Sequence, residues 1–274
     1  MEVKSENGVI TVESPDTFDI KQTLECGQVF RYRLTERGAV VFSGDKRAEM
    51  TFEGGKIKIF AKDEKYFLKY LDFATNYATI IEKVQDKGLV SAAAAYASGI
   101  RILKQDPYET AISFIISANN HIPRIKSIIE RVCAALGEDM GGWHAFPEIG
   151  ALASKDADFY FGLGAGYRAP YIAETARLLT KIDLEKVRKL TTDEASEVLK
   201  KLPGVGPKVA DCILLFGLGK TDVFPVDTWI KKVYRDMYGE ATSAVMRREL
   251  ISRYGELSGY VQQYLFYYKR EQNS

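Results

Sequence analysis

The texture of the apolar residues changes once along this chain, from short β-rich runs to helical spacing, and that change sets the fold class. Between Val9 and Phe60 the short runs VITVE, VFRYR, AVVFS, AEMTF and KIKIF are separated by the turn signals ERG, SGD and EGG. Short β-rich runs broken by glycine and charged turns predict strands of a meandering antiparallel sheet. From about Asp63 the spacing becomes three and four, in YFLKYLDF, YATIIEKV, AAAAYA, ETAISFIISA, PRIKSIIERVCAAL and YIAETARLLTKI. That spacing predicts amphipathic helices. The expected class is α+β: a twisted antiparallel N-terminal sheet domain over residues 1–99 and a helical body over residues 100–274. No internal repeat or low-complexity linker separates them, so two packed units are expected. The dense aromatic stripe of YVQQYLFYYKRE reads mainly as core packing.

At 274 residues and 46% apolar composition the chain can bury real cores. Its N-terminus lacks the basic start and apolar core of a signal peptide, and no apolar run is long enough to cross a bilayer, so an intracellular protein without membrane contact is expected. Cys26, Cys133 and Cys212 are odd in number and far apart. Such spacing argues against a disulfide framework and against a close-set metal or iron–sulfur site, and no cofactor is expected. With 38 basic and 37 acidic side chains the net charge is +1. A nucleic-acid partner would therefore have to be held by local groups rather than by bulk charge.

One such group stands in KLPGVGPKVADC, residues 201–212, between the helical patterns TTDEASEVLKKL and KVADCILLFGL. In the turn Gly204–Val205–Gly206 both glycines are free to take left-handed angles and admit a ligand to the main chain. Free amides beside a helix N-terminus bind anions, and a DNA phosphate fits. Pro207 suits the first helical turn and places Lys208 there. A cation at that end of a helix is disfavoured, so a partly desolvated Lys208 is expected to reach its neutral, nucleophilic amine more easily. An isolated GxG is ordinarily a tight corner with a solvated lysine. Here VFPVDTWIKKVYRDMY follows, in which Asp227 suits the N-cap of a further helix. A carboxylate held there is expected to stay ionised and to stabilise positive charge developing on a sugar.

LPGVGPKVADC followed by FPVD resembles the helix-hairpin-helix (residues 192–218) and Gly/Pro-Asp loop (residues 219–227) of the DNA glycosylase superfamily named for them. In lysine-bearing members that residue attacks the anomeric carbon, expels the damaged base and then cleaves the strand through a Schiff base. The resemblance makes Lys208 the nucleophile and Asp227 the essential carboxylate. LECGQVFRYR, ILKQDPYETAISFIISANNHIPRI and GLGAGYRAPYI are similar to stretches of the 8-oxoguanine DNA glycosylases, and the likeness covers nearly the whole length. The iron–sulfur branches, which close on four clustered cysteines, are disfavoured.

The resemblance also implies base contacts. Gly27 would offer its carbonyl to the N7 hydrogen of 8-oxoguanine, Cys212 and Phe266 would cover the two base faces, Phe216 would pack at the pocket, and Gln262 would read the Watson–Crick edge. Asn119 and Arg124 would meet the widowed cytosine, and Tyr167 and Arg168 would wedge the duplex. The implied partner is double-stranded DNA containing 8-oxoguanine, bound by a monomer, in the cytoplasm near the nucleoid if the source is prokaryotic. Trp229, Phe216 and His121 depart from the usual pattern, as does the loop over residues 164–167. A glycosylase of the same superfamily for another base, such as an alkylated purine, and a non-catalytic DNA-binding hairpin protein are the alternatives.

Overall fold

The computed structural model describes residues 2–84 and 88–272. Six strands, β1 (Glu2–Glu6), β2 (Val9–Glu13), β3 (Tyr32–Thr35), β4 (Gly38–Ser43), β5 (Lys46–Glu53) and β6 (Lys56–Ala61), form one sheet in the order β1-β2-β6-β5-β4-β3. Every pairing is antiparallel. The register aligns the buried alternation: Ile10 faces Ile59, Val12 faces Ile57, Met50 faces both Ala39 and Ile59, and Val41 faces Ala48. Phe67, Tyr70 and Leu71 of the helical segment after β6 close over this face.

Two elements escape the pattern. β1 is polar and exposed and gains its place from backbone pairing at a sheet edge, which leaves no apolar alternation to find. The run VFRYR becomes a strand only from Tyr32, because Val29 is drawn into the sheet core and Phe30 into the helical core. Before it lies the short helix Ile20–Glu25, capped by Asp19, whose side chain accepts from Gln22 N at 2.7 Å.

The helical core takes apolar side chains from every helix after Tyr77, including Ile80 and Val90. Buried polar groups tie it to the sheet. Arg101 is fully buried, donates to the carbonyls of Leu71 at 2.8 Å and Thr17 at 3.3 Å, and lies 4.1 Å from the Tyr77 ring centroid. Gln28 accepts from Leu103 N at 2.8 Å and donates to Arg101 O at 2.7 Å. Glu109 takes Gly44 N at 2.7 Å and lies 3.4 Å from Arg31. These bonds fix the segment through Gly27 against the helical body.

The hairpin is as expected in its first arm, helix Thr192–Leu199, which begins with a capping box between Thr191 and Glu194. The second arm is more irregular. Helix Pro207–Cys212 runs into a π-helical turn over Ile213–Gly217, a widening commonly found beside functional sites. Phe216 in this turn stacks on Phe114, with ring centroids 5.4 Å apart and planes 18° from parallel.

Candidate active site

A cavity of about 780 Å³ opens where the second arm of the hairpin, the helix Pro107–Ser117, the Gly27 segment and the last helix Ser258–Glu271 meet. Eight of the residues singled out from the sequence line it: Lys208, Asp227, Gly27, Cys212, Phe216, Gln262, Phe266 and Asn119. They come from positions as far apart as 27 and 266, so only the fold joins them.

Lys208 occupies the first turn of its helix behind Pro207, half-buried, with its ammonium nitrogen 5.3 Å from the Phe114 ring centroid. Cys212, one turn further, is 3% exposed. Burial pushes its thiol up to about 11, although the neighbouring charge of Lys208 pulls the other way. It is therefore a small apolar surface rather than a second nucleophile.

Asp227 caps helix Thr228–Tyr238, its Oδ1 accepting from Ile230 N at 2.8 Å. Capping is not the only influence on this carboxyl. Burial raises Asp227 above the ordinary carboxylate range, and the helix amides and the charge of Lys208 only partly offset it. Desolvation outweighs capping because the carboxyl lies in the cavity wall, packed among its neighbours.

Gly27 has φ of +77°, and a Cβ there would lie 3.0 Å from the Phe266 ring. Both facts demand glycine. Gln262 is 4% exposed and Phe266 half-buried, with the Arg270 guanidinium 5.6 Å from its ring centroid. Arg270, Lys231 and Lys208 are the cations of the cavity wall, and they supply the local positive charge that the near-neutral chain lacks overall.

Asn119 lies just beyond the end of helix Pro107–Ser117, with φ of +48°, a conformation that asparagine tolerates better than most residues. Arg168 is not a free wedge. It is 3% exposed, and its guanidinium donates to Ala118 O at 2.7 Å and Asn119 O at 2.6 Å, so it braces the Asn119 loop. Tyr167 is exposed and donates to Ala118 O at 3.1 Å. Arg124 is exposed outside the cavity, 3.4 Å from Gly164 O. His121 caps the following helix through Nδ1.

In the hairpin turn Gly204 has φ of +80° and packs against Tyr171, and Val205 is buried. Gly206 corrects the expectation of two left-handed glycines. Its φ is −84°, it is exposed, and a Cβ there would meet nothing within 4 Å. What glycine provides at 206 is open access to the helix N-terminus, with no conformational demand.

Several contributors were not singled out from the sequence. Phe114 supports both Lys208 and Phe216, and Gln263 lines the cavity beside Gln262. Asp211, 1% exposed beside Cys212, is gripped in two bonds by Arg247, at 2.6 Å from Nε and 2.8 Å from Nη2. A charged residue inside an otherwise apolar run was the available signal for Asp211; its partner lies 36 positions away. Among the described residues no cluster of His, Cys, Asp or Glu is suited to a metal ion, and no helix is long and apolar enough to cross a membrane.

This combination of a glycine-turned hairpin presenting a lysine, a capping aspartate and a shared cavity defines a class. The family model described as "HhH-GPD superfamily base excision DNA repair protein" matches residues 112–254, and the chain belongs to that superfamily. Within it, residues 10–111 match the "8-oxoguanine DNA glycosylase, N-terminal domain". The chain is 37% identical to the "Probable N-glycosylase/DNA lyase" of Methanothermobacter thermautotrophicus over 218 residues, which cover 68% of each chain. It is 33% identical to the "N-glycosylase/DNA lyase" of Saccharomyces cerevisiae over 70% of this chain and 56% of that one. The solved 8-oxoguanine glycosylase/lyase of Clostridium acetobutylicum, in complex with DNA containing cytosine opposite 8-oxoG, superposes with TM-score 0.93 at 35% identity, covering 100% of this chain and 99% of the other.

Proposed function

We propose that this protein removes 8-oxoguanine from double-stranded DNA and then cleaves the strand at the resulting site, with Lys208 as nucleophile. The observation that carries the reading is the meeting of Lys208 and Asp227 in one cavity with Gly27, Cys212, Gln262 and Phe266. A flipped nucleotide enters with its base between Cys212 and Phe266 and its sugar toward the Lys208 helix. The Lys208 amine attacks C1′ as the bond from C1′ to N9 breaks, and the base leaves with that electron pair. The Asp227 carboxylate stabilises the positive charge that builds on the sugar. The secondary amine then opens the sugar to a Schiff base. Loss of a C2′ proton expels the 3′ phosphate, which breaks the strand.

The amides of the turn at Gly204–Gly206 hold a phosphate of the same strand, and Asn119, Arg124 and Tyr167 meet the duplex around the emptied position. Borohydride trapping on a duplex carrying 8-oxoguanine tests the assignment. The wild-type chain gives a covalent protein–DNA adduct and Lys208→Gln gives none. Trapping by that variant as efficient as the parent's would assign the nucleophile elsewhere.

A further inference from the structure

Gln262 does not face the cavity alone. Gln263, 3% exposed, lines the same cavity and donates from Nε2 to Gln262 Oε1 at 2.7 Å. A glutamine amide offers an acceptor on one side and a donor on the other, and half a turn about its last torsion exchanges them. Purine edges differ in this respect. A guanine-type edge presents an N1–H donor where an adenine-type edge presents a bare N1 acceptor, and the exocyclic group beside it is reversed as well. An untethered Gln262 could therefore meet either base by turning over.

The donor from Gln263 removes that freedom. With Gln262 reversed, two N–H groups would face one another. Reversing both side chains together restores a hydrogen bond but exchanges the ends of Gln263. Its Oε1 is buried and, among the described residues, has no hydrogen-bond partner. The joint reversal would put an NH₂ group with two unmet donors into that place, and a buried orphan donor is tolerated less well than an under-used carbonyl.

We propose that Gln263 is a positioning residue which locks the Gln262 amide in the orientation that accepts a guanine-type edge and rejects an adenine-type one. This rests on the preceding reading of the cavity as the base pocket. It makes discrimination between the two oxidised purines a property of Gln263 rather than of Gln262 alone.

8-Oxoguanine and 8-oxoadenine are a suitable pair of probes, because both carry the N7 hydrogen and the C8 carbonyl and differ only on the Watson–Crick edge. Single-turnover excision of each, placed opposite cytosine in the same duplex, is measured for the wild type, Gln263→Met and Gln263→Glu. Wild type prefers 8-oxoguanine. Gln263→Met, similar in size and without a donor, reduces that preference at least about tenfold, the worth of one misplaced hydrogen bond. Gln263→Glu retains a donor while its carboxyl is protonated and loses it on ionisation, so its preference declines as pH rises while that of Gln263→Met does not. Variants that slow both excisions equally, or leave the ratio unchanged at every pH, overturn the lock. A wild type that excises neither base overturns the underlying reading instead.

Discussion

The two walls of the cavity are built in opposite ways. The wall to which we assign the chemistry, the chemical wall, is local: Lys208 and Asp227 lie within twenty residues, on the hairpin helix and the loop that follows it. The wall to which we assign base reading, the reading wall, is remote: Gly27 precedes the strand β3, and its contact Phe266 lies on the last helix. The first wall needs only correct local turns. The second exists only when the sheet and the helical body are locked together, which Gln28, Arg31, Arg101 and Glu109 accomplish with buried hydrogen bonds. The expected division of labour is that the chemical wall serves every substrate and the reading wall only an intact damaged base.

The largest effect is expected on the chemical wall. Asp227→Asn keeps a good helix cap but loses the negative charge, and should slow base removal roughly a hundredfold or more in single-turnover assays. The parent enzyme should lose base removal as pH falls through the raised value of Asp227, above the usual carboxylate range near ~3.9. Stability runs the other way. A carboxyl whose pKa is raised by burial binds its proton more tightly folded than unfolded, so stability is drawn down as pH rises from the ordinary range into the raised one. The variant should therefore be at least as stable as the parent at neutral pH by thermal unfolding, while nearly inactive. A variant clearly less stable there would mean that the charge supports the fold.

Gly27→Ala tests the reading wall. The left-handed backbone and the Phe266 contact together should cost about 1–3 kcal/mol of local strain and push the ring aside. Removal of 8-oxoguanine should fall by tenfold or more, whereas cleavage of a preformed abasic site, which needs no base contact, should stay within about threefold. Equal loss of both activities would break the division between the walls.

That division also decides what was legible in the sequence. The hairpin, Lys208 and the Asp227 cap could be read because proline, glycine and capping chemistry act over a few residues. The sheet was legible where one face is buried, as at Ile10, Val12, Ile57 and Ile59, and not at polar β1. Gly27 carried only a glycine's ambiguous signal, since the Phe266 ring that requires it is more than two hundred residues away. Only the resemblance puts Arg168 at the duplex; its burial depends on the carbonyls of Ala118 and Asn119, which no local pattern announces. Gln263 is silent for the same reason: two adjacent glutamines do not reveal which of them holds the other.

A smaller effect sharpens the account of the chemical wall. Asp211 is almost fully buried and Arg247 keeps part of its surface in water, so Asp211→Ala strands a cation that solvent can still partly reach. The expected loss of stability is about 3 kcal/mol, at the low end for breaking a buried pair. Because Asp211 shares the Lys208 helix, base removal and abasic cleavage should decline together. Selective loss of base removal would place this ion pair with the reading wall instead.

The smallest effect separates the two glycines of the hairpin turn. Gly204→Ala meets a left-handed backbone and the Tyr171 side chain at 2.9 Å, and should cost about 1–2 kcal/mol of stability. Gly206→Ala meets an ordinary backbone and open space, so its melting temperature should be that of the parent within about a degree. The open space is where a DNA phosphate would approach the amides of the following helix, so the Gly206 variant should still bind duplex less tightly, with a smaller dependence on salt. Unchanged affinity and salt slope would mean that the turn is a structural corner, and that the anchoring of the strand beside Lys208 falls to the cavity cations Lys231 and Arg270.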